Sequence, residues 1–192
     1  MAQVAALILA GGEGSRYGTP KAIALLPDGE SFLSRCTRTL EAAGVGPIAA
    51  TLPVGIDATG CEGVRALPLP DSGMDMLGSA RFGLSALLEA LWDRVVIWPV
   101  DHPLVAVSTI RRLGACRGPL AVPTCGGARG HPISLTRAAA AALAAGTLRG
   151  PTLRDALAAC GREEVAVDDA GVLANCNTPA RLRAALERIP PR

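Results

Sequence analysis

Aromatic side chains are scarce: two Trp, one Tyr and two Phe make up 3% of the 192 residues. The arginines are scattered, with no basic block and no aromatic interleaving. Nothing therefore offers the cationic stripe and stacking platform of a nucleic-acid binder. The formal net charge of +2 is equally mild, and a small anionic substrate needs only a few local cations. No apolar run reaches ~18 residues, so no membrane-spanning helix is expected. The apolar stretch Val4–Ala10 lacks a basic leader and runs directly into Gly-Gly-Glu-Gly. It reads as a buried first strand rather than a signal peptide, and the expected location is the cytoplasm. Cys36, Cys61, Cys116, Cys125, Cys160 and Cys176 contain no C-x-x-C pair, and no His-x₃₋₅-His accompanies them. A zinc site is not expected; these thiols are expected to be small buried hydrophobes in a reducing compartment.

What is present is a core of Ala, Leu and Val in a chain long enough to bury roughly 70% of its unfolded surface without disulfides or a structural metal. Val4–Leu9, Pro47–Leu52, Val64–Leu67, Arg94–Val100, Leu120–Pro123, Pro132–Leu135 and Glu164–Val167 read as strands. Several lack polar alternation, the mark of strands covered on both faces. Between them lie helical patterns: Phe32–Ala43 behind Ser31 and before Gly44, Ser79–Trp92, Ser108–Cys116, Thr136–Ala145, Thr152–Cys160 and Ala180–Ile189. This alternation predicts an α/β, Rossmann-like three-layer sandwich with a mainly parallel sheet, in a single domain spanning 1–192. Ligands in such sheets sit beyond the carboxyl ends of the strands. Three polar clusters fall there: Gly11–Lys21, Asp101-His102-Pro103 and Asn175–Pro179.

The first cluster reads L-A-G-G-E-G-S-R-Y-G-T-P-K, Leu9 to Lys21. Gly11, Gly12 and Gly14 give the backbone freedom to reach φ > 0 and to turn N–H groups toward phosphate. Arg16 adds a planar fork of donors and Lys21 a compact charge. A Walker A loop is excluded because Lys21 is not followed by a hydroxyl. The dinucleotide fingerprint G-x-G-x-x-G is excluded because Gly12 to Gly18 holds one residue too many. The pattern fits a broad loop wrapping a triphosphate.

The motif L-A-G-G-x-G-x-R-x-G-x-x-K resembles the signature of nucleotidyltransferases of the nucleotide-diphospho-sugar transferase fold. Length and later motifs are similar to the molybdenum-cofactor guanylyl- and cytidylyltransferases, the MobA/MocA-like group. Tyr17 stands where that family usually has Met. The resemblance implies nucleotide binding by Leu9, Ala10, Gly11, Gly12, Gly14, Ser15, Arg16, Lys21 and Ser79, with Arg16, Lys21 and Asp101 catalytic. In Trp98–Val105 (W-P-V-D-H-P-L-V), Asp101 matches the metal-binding aspartate for Mg²⁺. Asn175-Cys176-Asn177-Thr178-Pro179 resembles the D-x-D-T-P or N-x-N-T-P element. Asn177 would offer Mg²⁺ a neutral carbonyl oxygen, which implies weak metal binding in the absence of nucleotide. Asn177 or Thr178 before Pro179 is also good helix-capping chemistry. Ser72–Arg81 resembles a glycine-rich segment leading into a helix, with Ser79 the expected N-cap. Gly130-His131-Pro132 resembles a G-H-P motif on the acceptor side, which implies an acceptor-binding His131.

The implied reaction is attack of an acceptor phosphate on the α-phosphorus of GTP or CTP, with molybdopterin the foremost acceptor. L-A-G-G and N-x-N-T-P lean to the guanylyl branch, G-H-P to the cytidylyl branch. Three rivals remain. One is a sugar- or alcohol-phosphate nucleotidyltransferase. The second is a dinucleotide-binding oxidoreductase, which needs an acid where Leu52-Pro53 ends the second strand. The third is an inactive nucleotide-binding homologue, motivated by the two asparagines.

Overall fold

The computed structural model describes residues 3–12, 17–56, 58, 61–71 and 73–189. Eight strands form one mixed sheet: β1 (Val4–Leu9), β2 (Ile48–Leu52), β3 (Val64–Pro68), β4 (Arg94–Pro99), β5 (Leu120–Cys125), β6 (Ala128–Arg129), β7 (Ile133–Thr136) and β8 (Arg162–Ala166). They run in the order β3-β2-β1-β4-β7-β5-β8, with β6 a short hairpin partner of β5. The half β3-β2-β1-β4 is parallel, with Leu9 opposite Thr51 and Pro99. β7 enters antiparallel to both β4 and β5. Sequence periodicity shows that β7 is a strand but carries no signal of its direction. The turn Gly126-Gly127 that starts the reversal needs φ of +56° and +80°, open to glycine at no steric cost.

The missing polar alternation has the expected cause. Ala6 and Ile8 of β1 point into one core, Ala5 and Leu7 into another. Helices α1 (Phe32–Ala42), α3 (Val107–Gly114) and α6 (Pro179–Arg188) cover the first face, with Phe32, Leu40, Ile110 and Leu182 in its core. Helices α2 (Met76–Leu87), α4 (Arg137–Ala144) and the single turn α5 (Leu153–Ala156) cover the other, through Leu77, Leu84, Ala140 and Leu153. Three layers result, as the alternation predicts. Among the described residues no helix is long and apolar enough to cross a membrane. Burial of the cysteines is mixed: Cys36, Cys61 and Cys176 are buried, while Cys116, Cys125 and Cys160 are half-buried.

Helix ends explain where the structure departs from the expected spans. Ser31 caps α1 as expected, accepting from the Ser34 N–H at 3.1 Å. Ser79 does not cap α2. Asp75 does, accepting from the Gly78 N–H at 2.7 Å, and Ser79 is a buried residue of the first turn. A carboxylate that reaches the third residue of the helix satisfies an otherwise orphaned donor, so the helix starts three residues early. α3 is not capped by Ser108 either. Its N-cap, Ala106, has no side-chain oxygen. The buried Asp169, distant in sequence, instead accepts from the Ala106 N–H at 2.8 Å and the Thr109 hydroxyl at 2.7 Å. Asp169→Ala strands both donors inside the protein and is expected to lower the unfolding free energy by about 3 kcal/mol. Urea unfolding measures it, and a loss below ~0.5 kcal/mol, the ordinary effect of a surface change, would contradict this role.

Candidate active site

β1 and β4 lie side by side, and the chain leaves them toward opposite edges of the sheet. The reversal opens a crevice at their carboxyl ends, the usual ligand position in open α/β sheets. Leu9 and Ala10 end β1 there, locked between neighbours: the Val100 N–H donates to Leu9 O at 3.1 Å and the Ala10 N–H to Thr51 O at 3.1 Å. Gly11 and Gly12 follow at the mouth. Neither adopts positive φ, so they do not serve as the left-handed residues the motif suggested; Gly18 does, at +72°. Gly11 is required by close approach, because a Cβ would strike the buried Leu69 side chain. Among the described residues nothing stands within 4 Å of the position a Cβ would take at Gly12. Gly14, Ser15 and Arg16 lie outside the described residues. Ser79 faces the loop, its hydroxyl 3.6 Å from the place of a Gly11 Cβ.

Asp101 follows β4 by two residues and is 8% exposed. Its backbone is held firmly: the Cys176 N–H donates to Asp101 O at 2.7 Å, and the Trp98 indole to His102 O at 3.1 Å. The first of these bonds brings in the segment Asn175–Asn177. Cys176 is buried, while Asn175 and Asn177 are half-buried and both reach the crevice. Lys21 opens a short 3₁₀ turn, Lys21–Ile23, after Pro20. Its ammonium donates to Asp101 Oδ2 at 3.1 Å and also to Asn177 Oδ1. Three residues separated by as much as 156 positions thus meet at one nitrogen.

Asn175, His102 and Tyr17 join this centre without having been singled out as site residues from sequence. The Asn175 amide donates to Asp101 Oδ2 at 3.4 Å and contacts His102 Nε2 at 3.5 Å. The i, i+2 spacing of the two asparagines was the available signal for Asn175. Tyr17 packs edge-on against Phe32, ring centroids 5.7 Å apart. Burial, with Cys176 and Asp101 nearby, pushes its phenol up to about 12. Burial first and then Asp101 push the Cys176 thiol up to about 12, so it stays protonated at neutral pH.

His131 lies on the far side of the crevice. Its N–H donates to Val172 O at 2.9 Å, and its ring centroid is 5.0 Å from that of His102. A Cβ on Gly130 would collide with the Val172 backbone, which explains the glycine before the histidine. From His131 a cavity of about 1040 Å³ extends toward α5, with Leu77, Val122, Ile133 and Leu157 among its walls and Arg154 beside them. Burial holds His102 down at about 4, against the pull of Asp101, and burial lowers His131 as well. Both rings are neutral donors or acceptors at pH 7. Between pH 4 and 6.5 the unfolded His102 takes a proton that the folded one declines. Stability is therefore full above pH 6.5 and falls as the pH drops toward 4. Unfolding in this window is expected to take up about one proton on account of His102. His102→Asn is expected to flatten the dependence of unfolding free energy on pH; an unchanged slope would contradict the buried neutral ring.

The donor set suits a hard divalent cation. Asp101 Oδ2 and Asn177 Oδ1 converge on one point, as their shared ammonium shows, and Asp101 Oδ1 is buried with no hydrogen-bond partner among the described residues. Mg²⁺ takes oxygen ligands, often only one or two from protein.

Comparison with known proteins agrees with this geometry. The profile of the MobA-like NTP transferase domain matches residues 6–167. A curated relative, the bifunctional enzyme IspD/IspF of Novosphingobium aromaticivorans, is 33% identical over 115 residues, 57% of this chain and 30% of that protein. The match thus spans less than a third of the relative's length. Among solved structures, Rv0371c from Mycobacterium tuberculosis H37Rv superposes with a TM-score of 0.76 at 23% identity, covering 97% of this chain and 98% of that one. It has also been solved in complex with manganese, at a TM-score of 0.69, 22% identity and coverage of 96% and 98%. The 2-C-methyl-D-erythritol 4-phosphate cytidylyltransferase of Thermus thermophilus superposes with a TM-score of 0.72 at 19% identity, covering 97% and 98%. The chain belongs to the MobA-like NTP transferase family.

Proposed function

We propose that the chain, a single domain working in the cytoplasm, transfers a nucleoside monophosphate from GTP or CTP to a phosphorylated acceptor, foremost molybdopterin, and releases pyrophosphate. The observation that carries this is the meeting of Lys21, Asp101 and Asn177 at the carboxyl ends of β1 and β4. An acceptor phosphate oxygen bonds to the α-phosphorus as the bond to the bridging oxygen of the β-phosphate breaks, and pyrophosphate leaves with that electron pair. The attacking phosphate is already anionic near neutral pH, so no general base is required. Catalysis rests on in-line placement and on charge neutralisation.

Leu9, Ala10, Gly11, Gly12, Gly14, Ser15 and Ser79 frame the nucleotide. Arg16 and Lys21 take its phosphates. Asp101 and Asn177 would hold Mg²⁺, which when bound neutralises charge on the phosphoryl oxygens; that the similar Rv0371c has been solved in complex with manganese supports the use of a divalent ion. Asn175 steadies the Asp101 carboxylate, and His131 receives the acceptor as a neutral hydrogen-bonding ring. The cavity beyond His131, with Leu77, Val122, Ile133 and Leu157 among its walls and the Arg154 guanidinium beside them, suits a flat phosphorylated heterocycle.

A second reading has its own support. The relative at 33% identity is an IspD/IspF enzyme, and one of the similar structures acts on an alcohol phosphate by its name. The acceptor would then be a polyol phosphate such as 2-C-methyl-D-erythritol 4-phosphate. Pyrophosphate release, measured with GTP and with CTP against a phosphorylated pterin and against this polyol phosphate, separates the two. The proposal expects release with the pterin alone. Release with the polyol phosphate alone favours the second reading, and no release with any pair contradicts both.

A further inference from the structure

Lys21 makes a contact that the transfer reaction does not need. Its ammonium bonds Asp101 Oδ2 and Asn177 Oδ1, the same two oxygens assigned above to the metal. An ammonium and a divalent ion cannot both occupy the point where these oxygens converge, because the two positive charges would lie within a few ångströms of each other. Among the described residues Asp101 is the one carboxylate of the centre, and Lys21 cancels its charge through an ion pair in which the side chains are 24% and 11% exposed. Asn177 and Asn175 add none. A free dication approaching this centre meets two oxygens already held by an ammonium.

We infer that Lys21 is the resident cation of the metal site, and that the divalent ion enters only with the nucleoside triphosphate, whose phosphates draw the ammonium off Asp101 and Asn177. The inference rests on the assignment of these two residues as metal ligands. It makes Lys21 the coupling element between two ligands. Nucleotide frees the oxygens for metal, and by thermodynamic reciprocity metal tightens nucleotide by the same factor. The neutral Asn177, which leaves the described residues of the centre with a single negative charge for one ammonium to cancel, then belongs to the device rather than being a weakened ligand.

The test is direct titration of Mn²⁺ into the full chain, read by electron paramagnetic resonance of the free ion, with and without a non-hydrolysable α,β-methylene GTP or CTP. Without nucleotide, Lys21→Met is expected to bind Mn²⁺ about tenfold more tightly than wild type, within the range usual for coupled sites. Lys21→Gln, of similar length and also uncharged, is expected to do the same, and circular dichroism confirms that either variant is folded. Asp101→Asn in the Lys21→Met background is expected to abolish the gain. In wild type the analogue is expected to raise Mn²⁺ affinity by a comparable factor, and in Lys21→Met by much less. If both uncharged variants bind Mn²⁺ no better than wild type, while wild type with the analogue binds it well, the inference fails and the metal assignment stands. A gain that survives Asp101→Asn places the ion elsewhere and also overturns it. If no form takes up Mn²⁺ even with the analogue, the metal assignment fails along with the inference.

Discussion

Lys21→Ala is expected to lower the rate of pyrophosphate release by about 10²–10³-fold, comparable to losing one preorganised donor from a charge-stabilising site. Pro20 and the 3₁₀ turn fix where the side chain starts, and its ammonium ends at the centre of the crevice, bonded to Asp101 and Asn177. A nitrogen that reaches both oxygens also reaches any phosphate placed against them. Its charge counts most as negative charge shifts onto the leaving pyrophosphate, so kcat should fall more than nucleotide affinity. Turnover followed by pyrophosphate detection measures this, and a variant within a few-fold of wild type would remove Lys21 from catalysis. Lys21→Arg should not restore the rate fully, because a planar fork cannot replace a compact charge in a gap sized for one nitrogen.

Asp101→Asn is the other large effect, an expected loss of about 10³-fold or more in metal-dependent turnover. Asp101 is the carboxylate of the centre, and the amide keeps its shape while removing its charge. A Lewis-acidic ion contributes several kcal/mol of charge stabilisation, and each 1.36 kcal/mol is tenfold in rate. The bonds donated by the Cys176 N–H to Asp101 O and by the Trp98 indole to His102 O do not involve the Asp101 side chain, so the fold should hold. The control is nucleotide affinity in EDTA. It should stay within a few-fold of wild type, while the tightening brought by added Mg²⁺ disappears. Retention of Mg²⁺-dependent turnover would contradict the role of Asp101.

Much of this centre was legible in the sequence because its parts sit at ends of elements that periodicity marks well. An apolar run that stops at Gly11, and another that stops at Asp101, place two clusters at carboxyl ends of strands. A parallel sheet then brings those ends together. What periodicity cannot show is partnership across the chain. That Asp169 caps α3, or that one ammonium joins Asp101 and Asn177, depends on packing of segments distant in sequence. The direction of β7 was hidden for the same reason. Local chemistry misled at α2, where Ser79 heads a good helical pattern but Asp75 reaches the free N–H first. The glycines of the first loop were expected to serve φ > 0, whereas Gly11 is needed because Leu69 crowds it.

The crevice is expected to bind a nucleoside triphosphate together with a divalent metal. Isothermal titration of GTP and of CTP into the chain in the presence of Mg²⁺ measures this. At least one of the two should bind, with an affinity that Mg²⁺ tightens in the wild type and not in Asp101→Asn. Absence of binding by either nucleotide with Mg²⁺ present would contradict it.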